Sequence, residues 1–393
     1  MPDLSKLFSR TDLPGLFRNL LFVMALTALL FNLTTCWKVY RHEPLREAAS
    51  RALMAEKASF FYDSSMAEPV PVFALKLALA AGADADAALR AEGLAVYAAL
   101  FLVTFFVLRA RLGPVCAVMA AFFLGANPYM GFYAMQGSSH LYALLFLLLF
   151  WYYSGERPLS RRSALLAGLF AGLACLSRLD SVWALLLMAA LGWAVEKRAF
   201  PLKQAGLALG LALLLALPYV AWQKAHYGNF FYAQELSLRR WANLDRFGYA
   251  PGVERPQGPL GPAAFLFRDG PAGAFSGVFS GLGRAFAYEL PRAFYYKFLM
   301  VLVFLGVYAA FALKKDPLQV FAGAALLPVL PLAAIAQVSV TGGIELRYYL
   351  ATLWALCALA GLGLQETLTW AEGRLAGWAV ERAGAAGRKT KDR

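Results

Sequence analysis

The stretch from Ala164 to Val195 is apolar throughout, except at its centre, where Arg178 and Asp180 are its only charged residues. It is too long for one ordinary membrane span, which needs about 20 residues. Arg161 and Arg162 precede it, and Lys197 and Arg198 follow it. Basic residues collect on the cytoplasmic side of membrane helices, so both flanks belong on that side and the block reads as a hairpin. Its tip, Ser177-Arg178-Leu179-Asp180, then lies on the outer side. Each arm has about 13–14 residues, roughly 20 Å of helix against a hydrocarbon core of about 30 Å. The tip is therefore expected to be recessed, in a cavity open to the outer leaflet.

Similar apolar blocks recur along the chain. The protein is 60% hydrophobic and only 16% charged, where a soluble chain carries about a quarter charged residues. The blocks are continuously apolar and do not alternate, which predicts an all-α polytopic membrane protein and excludes a barrel. About ten transmembrane helices are expected, at roughly 19–36, 93–108, 112–126, 140–153, 164–176, 182–195, 205–221, 297–313, 318–338 and 348–364. Arg109 and Arg111, Lys203, and Lys314 and Lys315 mark one side, with Lys6, Arg10 and Arg18, so both termini are expected in the cytoplasm. Residues 1–364 read as one transmembrane domain and 365–393 as a basic cytoplasmic tail. The first apolar run reads as a retained span, not a cleaved signal. The net charge of +13 (37 basic less 24 acidic) belongs to topogenic loops or to anionic lipid, and no nucleic-acid motif is present. Cys36, Cys116, Cys175 and Cys357 each sit in or beside an apolar block, without metal or disulfide spacing.

Two outer loops are long, about 37–92 and 222–296. In the first, Glu43 to Lys57 has helical spacing, with Leu45, Ala49 and Leu53 as an apolar stripe of a helix lying on the interface. Pairs such as Glu43 with Arg46 and Glu47 with Arg51 would solvate its other face.

Recessed charges at membrane depth face a cavity or a partner. Arg178 is accordingly a group to hold an anionic head group, with Asp180 orienting it or binding a sugar hydroxyl; the alternative is a pair that closes a turn. Arg347, beside Glu345 in "TGGIELRYYLATLWAL", can hold a phosphate bidentately or snorkel to the interface. The first loop supplies the carboxylates Glu43, Glu47, Asp63 and Glu68, any of which could act as a general base or simply be solvated. Asp84-Ala-Asp86 spells D-x-D, associated with metal and nucleotide-sugar sites, but it also opens a helix with Asp86 as N-cap. His42, His140 and His226 lack metal-ligand spacing; His140 opens a span and is placed to line the cavity.

One span, then the acidic loop "HEPLREA…YDSSMAEPVPVF", then short paired spans, "CLSRLDSVWALL", "HYGNFFYA" and "LRYYLATLWAL" together resemble the GT-C superfamily of membrane glycosyltransferases. The nearest likeness is to lipid A aminoarabinose transferases and protein O-mannosyltransferases. The resemblance covers the plan from about residue 15 to 364. It implies a GT-C-like fold in the bacterial inner membrane, with a periplasm-facing site and an undecaprenyl-phosphate sugar as donor. The acceptor would be a lipid, glycan or protein. It implies an acid soon after the first span as catalytic base or metal partner, matched by Glu43, and Glu68 to position the acceptor or help a cation. Arg178 and Arg347 would then stabilise the departing phosphate, with Asp180, Glu345 and His140 in the same lipid-phosphate and sugar site. His42 stands where relatives often carry a further acid, so a divalent cation is left open. Two other classes fit the same residues: a lipid-linked sugar flippase or transporter, and a non-catalytic membrane subunit of an envelope assembly system.

Overall fold

The computed structural model describes residues 13–45, 48–64, 68–156, 159–196, 202–235, 263–264, 267, 269–312 and 346–389. Every regular element among them is helical. The chain runs α1 (Leu13–Tyr40), α2 (Ala48–Lys57), α3 (Pro69–Ala80), α4 (Ala85–Arg111), α5 (Pro114–Gly125), α6 (Pro128–Met135) and α7 (Ser139–Ser154). It continues through α8 (Arg161–Ser177), α9 (Ser181–Glu196), α10 (Leu202–Tyr227) and α11 (Gly270–Arg284). A π-helical turn (Ala285–Glu289) joins α11 to α12 (Leu290–Phe294), and α13 (Met300–Ala312) follows. The last part is a 3-10 turn (Leu346–Tyr349) and α14 (Leu350–Lys389).

Four helical stretches are long and apolar enough to cross a membrane: Asn19–Tyr40, Ala85–Arg111, Lys203–Tyr227 and Leu346–Arg374. Two bent pairs raise the total to six if each pair is one span. The protein is thus an α-helical membrane protein, but the count among the described residues is below the ten expected. Ser139–Ser154 and Ser181–Gly192 are apolar but shorter, and the span expected at 318–338 lies outside the described residues. The hairpin arms α8 and α9 have 17 and 16 residues, so each gains a few residues over the expected arm by extending into its basic or polar flank. At about 1.5 Å per residue they still fall short of about 30 Å.

The break between α5 and α6, a 57° bend, shows what the bundle requires. Pro128 cannot donate a backbone hydrogen bond, and carbonyls freed in an apolar surround are costly unless paired. Asn32 on α1 answers with its side-chain amide, within reach of the carbonyls of Gly125 (3.0 Å) and Asn127 (2.8 Å). The Tyr97 hydroxyl on α4 donates to Leu124 (2.7 Å) or Gly125 (2.9 Å). Asn127 caps α6 by accepting from the Tyr129 and Met130 amides, and its own amide reaches the carbonyls of Ala293 (3.2 Å) and Phe294 (3.4 Å). One polar seam therefore joins α1, α4, α6 and α12.

Elsewhere the helices meet through small residues, the usual way to gain packing where lipid removes the hydrophobic drive between helices. The most extensive contact is between α13 and α14. A methyl group at Gly306 would land on the Leu359 carbonyl oxygen, and one at Gly363 on that of Leu302. Trp354 of α14 donates to Thr104 of α4 at 2.8 Å, both buried.

Several local readings change. The interfacial helix starts at Ala48, not Glu43, and Leu53 on its supposed apolar stripe is exposed while Arg51 is buried. Glu47, and with it the expected Glu47–Arg51 pair, lies outside the described residues; Arg51 donates to the Gly137 carbonyl at 2.5 Å. The cap before α4 is Asp84, whose carboxylate accepts from the Ala87 amide at 3.0 Å, and Asp86 is in the first turn. α14 continues past Leu364 without a break to Lys389.

All four cysteines are buried, so a thiol-reactive dye reports unfolding. Gly306→Val should lower the melting temperature in that assay, with overpacking worth about 1–3 kcal/mol. Gly206→Ala should not lower it, since nothing lies within 4 Å of the added carbon there. Equal melting temperatures for wild type and Gly306→Val would refute the close-packed α13–α14 contact.

Candidate functional site

At one end of the bundle, turns from four distant parts of the chain converge. The first is the N-terminus of α3, where Glu68 is the capping residue in extended backbone, as expected before a proline. The second is the start of α7, reached through a turn at Gly137 with φ of +62°, a backbone state that favours glycine. The third is the tip between α8 and α9, and the fourth is the Leu346–Tyr349 turn.

Arg178 ends α8 in extended backbone. Its Nε donates to Asp180 Oδ1 at 3.0 Å and its Nη2 to Oδ2 at 2.8 Å, a fork that fixes the guanidinium plane. Its Nη1 reaches the Ser139 hydroxyl at 3.4 Å. The Arg178 side chain is 15% exposed and that of Asp180 43%, so the cation is largely withdrawn from water while its partner is not. Glu68 Oε1 accepts from the Leu179 amide at 3.4 Å. Burial pushes the Glu68 carboxyl above its ordinary 4.5; Arg178 opposes this and Asp180 adds to it.

His140 lies between these groups and the last turn. Its Nδ1 is 3.3 Å from the Ser138 hydroxyl, and its ring meets Tyr348 edge-on at 5.1 Å. Its Nε2 is buried without a hydrogen-bond partner among the described residues. The guanidinium groups of Arg178, Arg347 and Arg51 all act on it electrostatically, and the Arg347 guanidinium stands 5.2 Å from the centre of the Tyr348 ring. The charges of three arginines thus act on one imidazole, with the Asp180 and Glu68 carboxylates on one flank, in a setting where water does little screening.

Of the residues singled out from sequence, Glu68, His140, Arg178, Asp180 and Arg347 come together. Glu345 lies outside the described residues. Glu43 is exposed, and its side chain makes no hydrogen bond or ion pair with another described residue; its carbonyl accepts from Arg90 Nη2 at 2.5 Å. Asp63 accepts from the Ser59 amide and hydroxyl, closing a local turn. His42 and His226 remain apart, bonded or stacked locally on Arg41 and Trp222. Among the described residues no three His, Cys, Asp or Glu side chains come together to hold a metal ion.

Sequence reasoning missed Arg51, Ser139, Glu92 and Tyr142. The Tyr142 hydroxyl donates to Glu92 Oε1, and Arg51 is the cation nearest that carboxylate in effect. The available signals were weak: a lone acid opening the apolar run of α4, and a tyrosine two residues after His140. At the opposite end of the bundle, Arg111 donates to the Gly155 carbonyl at 2.7 Å, and Gln365 of α14 bonds the Cys116 amide and the Leu112 carbonyl. Comparison with known proteins finds no match to this chain among family models or curated proteins.

The Glu68 shift has a signed consequence. A carboxyl raised in the folded state gives stability that is full below its ordinary pKa and is lost as pH rises through the raised one. Wild type should therefore lose melting temperature relative to Glu68→Gln as pH rises from below 4.5 through the carboxylate range. A difference between the two that stays constant with pH would show that Glu68 is not held in a desolvated setting.

Proposed function

We propose that this chain is an inverting glycosyltransferase that moves a sugar from a polyprenyl-phosphate carrier to an envelope acceptor at the outer face of the bacterial inner membrane. The observation that carries the reading is the convergence of Arg178, Arg347, His140 and Glu68 from four separate turns. It adds to the sequence resemblance to GT-C enzymes. The arginines bear the charge of the departing lipid phosphate, because preorganised cations in a site shielded from water stabilise charge as it develops. Arg178 has its Nε edge on Asp180, leaving Nη1 beside Ser139 to meet a phosphate oxygen.

Glu68, rather than Glu43, takes the role of base, since it alone of the two stands beside the arginines. Burial raises its carboxyl above the ordinary range, which makes it a stronger base than a solvated one. The acceptor hydroxyl loses its proton to Glu68 and its oxygen bonds to the anomeric carbon. The bond from that carbon to the phosphate oxygen breaks, and the electron pair leaves with the lipid phosphate. The short arms α8 and α9 keep the site near the leaflet from which the lipid would enter.

A lipid-linked sugar flippase is the second reading, favoured by one observation. Two helix pairs are bent, by 57° and 112°, and broken helices are a feature of transporters.

Native mass spectrometry with undecaprenyl phosphate as probe tests the phosphate site. Wild type should carry the lipid, and Arg178→Ala and Arg347→Ala should each bind it about tenfold or more weakly, the loss of one charge-assisted contact. Lipid binding indifferent to both arginines would overturn the site. Turnover with a lipid-linked sugar then separates the readings: a glycosylated acceptor lost in Glu68→Gln but retained in Glu43→Ala supports transfer, and lipid movement between leaflets without product supports the flippase.

A further inference from the structure

A second group of buried polar atoms lies on the other side of the Leu346–Tyr349 turn. Glu289 closes the π-helical turn and is 0% exposed, and neither carboxylate oxygen has a hydrogen-bond partner among the described residues. Two cations act on it: Arg292, whose charge counts for more, and Arg284, whose Nε forms an ion pair with Oε1 at 3.8 Å, too long for a hydrogen bond. Tyr349 is also 0% exposed with an unpartnered hydroxyl, and it feels the Glu289 charge.

The π-helical turn is what brings the carboxylate inside. Phe286 is 65% exposed, and in an α-helix the residue three positions on shares its face. The wider turn shifts that register, so that Glu289 faces inward, and such turns recur at functional sites. Burying a carboxylate with neither oxygen hydrogen-bonded is costly even beside two cations, and ionisable groups at membrane depth mark binding sites. The neighbouring surface is aromatic and basic. Tyr129 and Tyr295 meet edge-on at 6.2 Å, Arg292 lies beside Tyr129, and Tyr295 is half-exposed in a left-handed conformation with φ of +69°. Only a structure that over-determines it holds a tyrosine there.

We propose that Glu289 and Tyr349 are the floor of a carbohydrate-acceptor subsite, with Tyr129 and Tyr295 as its rim. The chemistry selects that class. A carboxylate and a phenol offer acceptors and a donor to ring hydroxyls, and tyrosine rings offer an apolar face with a polar tip to the carbon skeleton of a sugar. A phosphate dianion has no donor to give the Glu289 oxygens, and a plain hydrocarbon would leave both groups without a hydrogen bond. The proposal rests on the glycosyl-transfer reading, and the turn supplies the link: Arg347 and Tyr348 face the arginine site while Tyr349 faces Glu289.

The test is saturation-transfer NMR on the full chain in lipid nanodiscs. The probes are methyl glycosides of glucose, mannose, galactose and arabinose. Wild type should transfer saturation to the ring protons of at least one probe. Glu289→Gln and Tyr349→Phe, both near-isosteric, should weaken that glycoside about tenfold, while Gly206→Ala, where nothing lies within 4 Å of the added carbon, leaves it unchanged. Dye-detected melting checks that each variant folds, and Tyr349→Phe decides the outcome if Glu289→Gln does not. No transfer to any probe overturns the subsite, as does binding unaffected by both substitutions or lost in Gly206→Ala. Glycoside binding that depends on Glu289 and Tyr349 in a protein without transfer activity would leave the subsite standing and remove the transferase reading. Transfer activity with glycoside binding indifferent to both would do the reverse.

Discussion

Backbone groups inside a membrane bundle must find partners within the protein, and the break at Gly125 to Pro128 is where this chain meets that demand with side chains. Asn32, Tyr97 and Asn127 take up the carbonyls around the break and those of Ala293 and Phe294. Replacing Asn32 with an apolar residue would strand carbonyls that water cannot reach. The same seam sets the position of α6, and through the Gly137 turn it sets where α7 starts and where His140 points. On its other side it anchors the end of α12, just before the 112° bend into α13. Both groups of buried charge therefore hang from one hydrogen-bonded joint.

The arginines differ in how they are held. Arg90 and Arg51 are buried and spend their donors on carbonyls at helix ends, Arg90 on Tyr40 and Glu43, Arg51 on Gly137. They act as caps, with the favourable sign of a cation at helix C-termini. Arg178 spends one edge on Asp180 and turns the other toward Ser139. A cation that is fixed by a carboxylate yet keeps a free edge in a poorly solvated place is suited to an anion that comes and goes.

The helical class, the turn at Ser177 to Asp180, and the gathering of Arg178, Asp180, Glu68, His140 and Arg347 were legible because membrane physics leaves few uses for such residues in apolar surroundings. The departures have a common cause. Glu43 follows the first span, but sequence position does not fix which way a loop carboxylate turns, and here it is exposed. The spacing of Arg51 suits a solvated face, yet a neighbouring turn buries it against the Gly137 carbonyl. Glu289 had no signal at all: its inward orientation depends on one extra residue in a turn, which helical periodicity smooths over.

The length of α14 has a mechanical consequence. Its 40 residues make a rod of about 60 Å at about 1.5 Å per residue, roughly twice the hydrocarbon thickness. The rod starts directly at the turn that carries Arg347, Tyr348 and Tyr349, and its first half is clamped against α13 and α5. A torque applied to its far half, beyond Trp370 and Arg374, would travel along a single uninterrupted hydrogen-bond ladder to those three side chains. The helix thus joins the turn that carries those charged groups to a point farther away than the hydrocarbon is thick.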